Sequence, residues 1–412
     1  MSKLFVNQER LLASLEELSR VGNSSTQGVT RFALTDGDRQ AREWLQERAR
    51  QHNLKSHFDA AGNLFIYADV AQEQPPVIVG SHVDTVPNGG RYDGALGVLA
   101  GLECLIRLQE TQTSLSRPVW LAVWTEEEGS RFPGGLIGSR AIIGELGAGE
   151  LEETDADGIT LAEALRNWGL KPSELPQVAR KPGEIHAYVE LHIEQGAKLD
   201  VANEQIGVVT GIVGIRRYNL SVKGQANHAG TTPMHLRRDA LVAASLMVQA
   251  VEQVVKESGY EEAVGTVGKL QVYPGGVNVV PGQVDFTVEI RDIKLEVMDE
   301  LAAMLHTKLQ EIAEERGVKL SWEAAPAVNP SLLSESVQQT ISQVAGELGY
   351  SWRSMPSGAG HDAQHLARIC PTGMIFVPSK EGVSHSPTEF TPDEDCVRGA
   401  NVLLNTIVRL AK

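Results

Sequence analysis

The chain has 412 residues, 42% hydrophobic and 22% charged, which is enough apolar content to bury a sizeable core across two or three domains. Its 53 Asp and Glu outnumber 37 Lys and Arg, for a formal charge of -16, a field that repels nucleic acid and anionic membrane surfaces and argues against both as partners. Three cysteines without a CxxC pair point to neither a disulfide framework nor a thiolate zinc site, and favour a reducing cytoplasm.

The chain opens with MSKLFVNQERLLASLEELSRVG, an amphipathic helical pattern with charges throughout and without the apolar run of a signal peptide. No window reaches the roughly 18 apolar residues of a membrane span. Strand-like runs follow in GNLFIYAD, PPVIVGSH, RPVWLAVWT, IHAYVELH and GMIFVPS. Between them lie helix formers such as GVLAGLECLIRLQE, with Leu99, Leu102, Leu105 and Ile106 near helical spacing. Strands alternating with helices predict an α/β domain around a mostly parallel sheet, apolar on both faces.

From about Gly214 the grammar changes. RRYNLSVKG, a helix RRDALVAASLMVQAVEQVVKES, AVGTVGKLQVYPG, QVDFTVEIRDI and a helix EVMDELAAMLHTKLQEIAEERG read as strand, helix, two strands and helix. That order predicts a small α+β unit over 214–327 inserted between the catalytic parts 1–213 and 328–412, with Pro326 to Pro330 as the return linker. No internal repeat or low-complexity segment interrupts the pattern.

Four predicted strands end at or near a metal-ligating side chain: His82 after VIVGS, Glu127 and Glu128 after WLAVWT, His192 after YVEL, and His385 soon after MIFVPS. In open parallel sheets the carboxyl ends converge on one edge, where sites are built. Asp93 follows His82 across a Gly- and Asn-rich loop that can fold back to the strand end. Imidazoles with carboxylates and no thiolate suit zinc, manganese, cobalt or nickel, and one carboxylate can bridge two ions about 3.5–4 Å apart. Each residue alone reads more simply as a hydrogen-bonded strand end or a solvated acidic loop; four coincidences on one sheet edge favour the metal site. In TEEEG, neighbouring side chains can divide the work between holding metal and moving a proton, but spacing alone does not say which of Glu126, Glu127 and Glu128 does which.

The segments GSHVDTVPNGGRYDGALGV, TEEEGSRFPGGLIGSRA, AYVELHIEQG, NHAGTTPMHLRRD, PSGAGHDAQ and GVSHSP resemble, in order and over nearly the whole chain, the dinuclear metallohydrolases of carbamoyl and ureido compounds. These include allantoate amidohydrolase, N-carbamoyl-L-amino acid hydrolase and β-ureidopropionase, relatives of aminoacylase-type metallopeptidases. The resemblance implies that His82, Asp93 and His192 hold one divalent ion, that Asp93, Glu128 and His385 hold the second, that Glu127 is the general base, and that Asp84 orients His82 from behind. It implies a lid and dimerisation role for the inserted unit, whose His228, Asn278 and Arg291 match substrate-contacting positions, some acting across a homodimer. His228 would stabilise an oxyanion and Arg291 would clamp a carboxylate through two parallel hydrogen bonds. Arg291 pairing with Glu289 or Asp292, and His228 capping a turn, are the simpler alternatives. Gln195 and the small residues Gly358, Ala359 and Gly360, which let backbone N–H groups approach an anion, complete the implied contacts.

The expected reaction is hydrolysis of a linear, non-peptide C–N bond in a small ureido carboxylate, releasing ammonia and carbon dioxide. The wording of GIRRYNLSVKGQANHAGTTPM and SGAGHDAQ resembles allantoate amidohydrolase more than the L-carbamoylases, which stand as the alternative. A dipeptidase or aminoacylase of the same superfamily comes behind them. A non-enzymatic binding protein on a degenerate scaffold would lack a ligand or the base, and none is missing.

Overall fold

The opening amphipathic pattern folds as a helix at Gln8–Arg20 (α1), where Asn7 caps the start by accepting from the Arg10 N–H and Leu11, Leu15 and Leu18 turn inward at the spacing that keeps side chains on one helix face. The structure is a computed structural model that describes residues 3–22, 28–69 and 74–412; the first two residues of the opening pattern lie outside that range. Of two further helices, Asp36–Gln51 (α2) packs on the strands Leu54–Phe58 and Leu64–Ala68, and Ala95–Glu110 (α3) packs on Val77–His82, Val119–Trp124 and Ala187–Ile193, which carry candidate residues at or after their ends. Among the described residues no helix is long and apolar enough to cross a membrane.

Six strands precede the change of grammar: Leu54–Phe58 (β1), Leu64–Ala68 (β2), Val77–His82 (β3), Val119–Trp124 (β4), Ala187–Ile193 (β5) and Ile206–Ile212 (β6). Gly214–Lys223 (β7), Asn227–His228 (β8), Val264–Thr266 (β9), Leu270–Tyr273 (β10), Val279–Val280 (β11), Gln283–Asp292 (β12) and Lys319–Ala324 (β13) come next. The chain then returns with Ser331–Leu332 (β14), Trp352–Ser357 (β15) and Thr372–Val377 (β16). Two units result, Met1–Thr210 with Leu332–Lys412, and Gly211–Ser331.

The first unit is built on a nine-stranded mixed sheet in the order β1-β2-β4-β3-β5-β16-β6-β14, with β15 also on β6. Its centre is parallel: β4, β3, β5 and β16 run the same way, whereas β1, β2 and β6 are antiparallel to their neighbours. Every residue of β3, β5 and β16 is buried, as befits strands covered on both faces. Helix α3, buried nearly all round, and the helix Asp393–Leu410 cover that centre. β1, β14 and β15 are not predicted because they lack an apolar run, and in β1 only Leu54 is buried; β6, IGVVTGI, is apolar and almost wholly buried but is absent from the predicted strands.

The second unit is a five-stranded antiparallel sheet, β10-β12-β7-β13 with β9 also on β12. Burial alternates strictly along β12, so one sheet face sends Val284, Phe286, Val288 and Ile290 into a core shared with Met247, Val251, Leu301 and Leu305 of the helices Ala240–Glu257 and Leu295–Arg316. AVGTVGKLQVYPG is two strands, β9 and β10, rather than one, and β13 adds a strand that the pattern did not reveal.

Candidate active site

The four parallel strands are the ones that carry the candidate residues. His82 is the last residue of β3, Glu127 and Glu128 follow β4, His192 lies at the end of β5, and His385 sits in the loop after β16. Asp93 reaches back into their midst. Its Oδ1 lies 3.2 Å from His192 Nε2 and 3.6 Å from His82 Nε2, and its Oδ2 lies 3.3 Å from His385 Nε2. Glu128 Oε2 is 3.6 Å from His385 Nε2, and Glu127 Oε2 is 3.7 Å from His82 Nε2. Two triplets thus share Asp93: His82, Asp93 and His192, and Asp93, Glu128 and His385, each with one donor atom per residue within 4.8 Å of the others. They open onto a cavity of about 390 Å³ that Ala359 and Gly360 also line; Gly358 does not.

Backbone carbonyls fix the imidazoles. His82 Nδ1 donates to the carbonyl of Asp84 at 3.0 Å, and His192 Nδ1 donates to that of Ile193 at 2.9 Å, so each ring turns Nε2 toward Asp93. The Asp84 carboxylate stands farther off, with Oδ1 3.9 Å from His82 Nδ1, while its Oδ2 accepts the backbone N–H of Glu128 at 3.2 Å. Asp84 therefore orients His82 through its main chain and ties the β3 and β4 loops together through its side chain. Gly94 takes a φ of +63°, and a Cβ there would lie 2.5 Å from the His82 ring, a close approach that only glycine permits. Gln195, at a φ of 58°, donates from Nε2 to Asp93 Oδ2 at 2.8 Å.

Glu126 faces elsewhere: its Oε1 accepts from the backbone N–H groups of Arg131 and Phe132 at 2.8 and 3.0 Å, so it holds the following loop. Sequence reasoning overlooked Glu389, whose Oε1 accepts from the N–H groups of Tyr92 and Asp93 at 3.0 and 3.1 Å and so shapes the Asp93 loop. It also gave no role to His361, which packs edge-on against His192 with centroids 4.5 Å apart. The GHD of PSGAGHDAQ was the one signal for His361; for Glu389 there was none.

Within the second unit, His228 pairs with Val279 in the short β8–β11 ladder, and just beyond it the Ala229 N–H donates to the Asn278 carbonyl at 2.9 Å. His228 Nδ1 accepts from the N–H groups of Gly230 and Thr231 at 3.0 and 3.2 Å, which leaves the ring proton on Nε2. Arg291, on β12, donates from Nε to Glu289 Oε1 at 2.7 Å, and Arg217 donates to the other oxygen of that carboxylate.

The electrostatics of the edge call for a cation. Burial, then repulsion from Asp362, Glu128, Asp84 and Asp93, pushes the Glu127 carboxyl well above the usual range. Burial and Asp93 push Glu128 up to about 8. Asp93 is held well below the usual range although burial opposes it, because His192, His385 and His82 surround it. So many buried acids beside three imidazoles, with no thiolate, form a donor set suited to zinc or manganese, and a bound divalent ion would reverse the repulsion that now disfavours their ionisation.

Comparison with known proteins agrees with this geometry. The Peptidase family M20/M25/M40 matches residues 78–409, a span containing every candidate site residue. The chain is 45% identical over 408 residues to the N-carbamoyl-L-amino acid amidohydrolase of Geobacillus stearothermophilus, covering 99% of each. It is 35% identical over 400 residues to the allantoate amidohydrolase of Bacillus subtilis, covering 96% of each. A solved hydantoinase/carbamoylase family amidase from Burkholderia ambifaria superposes with a TM-score of 0.94 at 36% identity, covering 100% of this chain and 99% of that one. With the match spanning both the sheet edge and the inserted unit, the chain belongs to Peptidase family M20/M25/M40.

Proposed function

We propose that the protein hydrolyses the carbamoyl C–N bond of a small ureido carboxylate. The observation that carries this reading is Asp93 seated among three imidazoles with the buried Glu127 beside them. Two divalent ions, zinc or manganese, would be held by His82, Asp93 and His192 and by Asp93, Glu128 and His385, and when bound would polarise the ureido carbonyl and ease deprotonation of water. Glu127 takes the proton of the attacking water and hands it to the nitrogen that leaves; the carbamate then falls apart to carbon dioxide and ammonia. His228 donates from Nε2 to the oxyanion, supported by the two backbone donors that occupy Nδ1. Arg291 holds the substrate carboxylate, while Gln195, Asn278 and the backbone at Gly358, Ala359 and Gly360 contact the rest. The second unit serves as lid and as the contact of a homodimer.

For the substrate we favour an N-carbamoyl-L-amino acid. The relative of that name is 45% identical, against 35% for the allantoate enzyme, which outweighs the motif wording that favoured allantoate. Ammonia release by the manganese-loaded protein from N-carbamoyl-L-methionine and from allantoate, each with a chelated control, tests this. Faster release from allantoate would reverse the choice while keeping the chemistry, and silence on both with turnover of dipeptides would overturn it.

A further inference from the structure

Two arginines lie wholly inside the first unit, Arg31 at 2% and Arg42 at 0% exposure, and both spend their guanidinium groups on main-chain carbonyls. Arg31 donates from Nε to Val83 O at 2.7 Å and from Nη1 to Leu18 O and Val21 O at 3.1 and 2.9 Å. Arg42 donates from Nη1 to Gly62 O and Val123 O at 3.1 and 3.0 Å and from Nη2 to Trp124 O at 2.8 Å. Its Nε pairs with the equally buried Asp38 at 2.8 Å.

The carbonyls they choose are telling. Val83 directly follows His82, and Val123 and Trp124 close β4 just before the TEEEG acids. At the end of a sheet such carbonyls run out of ladder partners, and buried ones must find others. Arg31 also joins the two chain segments by backbone, since its N–H donates to Thr85 Oγ1 at 3.0 Å and its carbonyl accepts from the Thr85 N–H at 3.0 Å. The two anchored loops are then linked by the Glu128 N–H on Asp84 Oδ2.

We infer that Arg31 and Arg42 are positioning residues which, by clamping the carboxyl ends of β3 and β4, set the distance between the His82 side and the Glu127–Glu128 side of the candidate metal centre. The inference rests on the reading of this sheet edge as a metal centre. A planar fork with five donors can serve three carbonyls at once, whereas an ammonium is a point charge that cannot span them in the same geometry. Neither arginine touches substrate or metal; both act through the loops.

The test compares Arg31→Lys and Arg42→Lys with the parent in full-length protein, reading Mn2+ affinity from the free-ion electron paramagnetic resonance signal, kcat and KM on the ureido substrate at saturating Mn2+, and folding by circular dichroism. Arg10→Lys is the control, because that guanidinium pairs with Glu103 and Glu110 away from the strand ends. The expected result is a loss of about 10–100-fold in Mn2+ affinity, the range for groups that orient ligands from behind, with kcat falling and KM held, while Arg10→Lys keeps parent values. Folded lysine variants with parent affinity and kcat would overturn the inference, and so would an equal loss in Arg10→Lys, which would mean general loosening. If the lysine variants do not fold, Thr85→Val, which removes the hydroxyl that accepts from the Arg31 N–H and donates to the Val29 carbonyl without burying a charge, must weaken Mn2+ binding; parent-like binding there overturns the inference as well. A parent that binds no Mn2+ would instead remove the metal-centre reading, and this inference with it.

Discussion

Replacing Gly94 by alanine gives the sharpest check on the assembled site, because the added atom has one place to go. The new Cβ would lie 2.5 Å from Cε1 and Nε2 of His82, about 1 Å inside ordinary contact between non-bonded heavy atoms. His82 is 1% exposed and held from behind by the Asp84 carbonyl at 3.0 Å, so it can yield only by breaking that bond or moving off Asp93. Metal sites tolerate displacements of about 0.2 Å, several times less than the overlap. Alanine at a φ of +63° adds about 1–3 kcal/mol of backbone strain, and overpacking adds about 1–3 kcal/mol more. The variant is therefore expected to melt earlier yet be folded at 25 °C, and at that temperature to hold metal at least ~10-fold more weakly than the parent. Metal content after dialysis, measured beside the melting curve, separates the two effects. A Gly94→Ala protein that keeps parental metal content and turnover would refute the placement of His82 in the centre.

The other expectations come from the same geometry. Asp93→Ala removes the carboxylate common to both triplets and should abolish metal-dependent turnover; dialysed variant protein with full metal content would contradict it. Glu127→Gln should keep its metal and lose roughly 100- to 10,000-fold in kcat, the usual contribution of a general base; loss of metal instead would exchange the roles of Glu127 and Glu128. For His192 burial opposes protonation, but the Asp93 carboxylate outweighs it and raises the ring to about 9. For His385 the Asp93 hydrogen bond, opposed by burial, likewise raises it to about 9. Both rings are then protonated at pH 7 in the metal-free protein, and since metal needs neutral imidazole, loading should release protons and affinity should climb from pH 7 to about 9. The same raised values stabilise the metal-free fold fully below about pH 6.5, a contribution lost as the pH rises toward 9; pH-independent affinity across that window would contradict both statements. Mixing Arg291→Ala with Glu127→Gln protein should restore some activity if Arg291 serves the partner's site, and no rescue after verified subunit exchange would place it in its own.

What was readable in the chain depends on how each signal is encoded. β3, β5 and β16 are buried along their whole length and write themselves as apolar runs, and a His or Glu at a strand end is a local pattern, so the convergence of these side chains on one sheet edge is legible. β1 and β13 are largely exposed and carry no such run. Glu389 acts on the Asp93 loop across a sequence separation of 296, which no local pattern records. The resemblance names Asp84 as the residue that orients His82 without saying which of its atoms does so; the bond here comes from its backbone carbonyl, which any residue at that position would offer. Glu126, beside the two candidate acids Glu127 and Glu128, has a backbone φ of 52° and turns to the loop amides, and conformation of that kind is invisible in TEEEG.

The spread of the site along the chain has a consequence for biogenesis. Ser384, neighbour of His385, meets the Asp93 carboxylate across 291 positions, and β16 must slot beside β5 before that loop can close. During synthesis at about 5–20 residues per second, the β3 and β4 edge leaves the ribosome many seconds before the last ligand loop exists. For that interval the nascent chain carries an acid-rich half of the candidate centre with no His385 beside it, so if the centre holds metal as proposed, a tightly held ion would be the mark of a finished molecule.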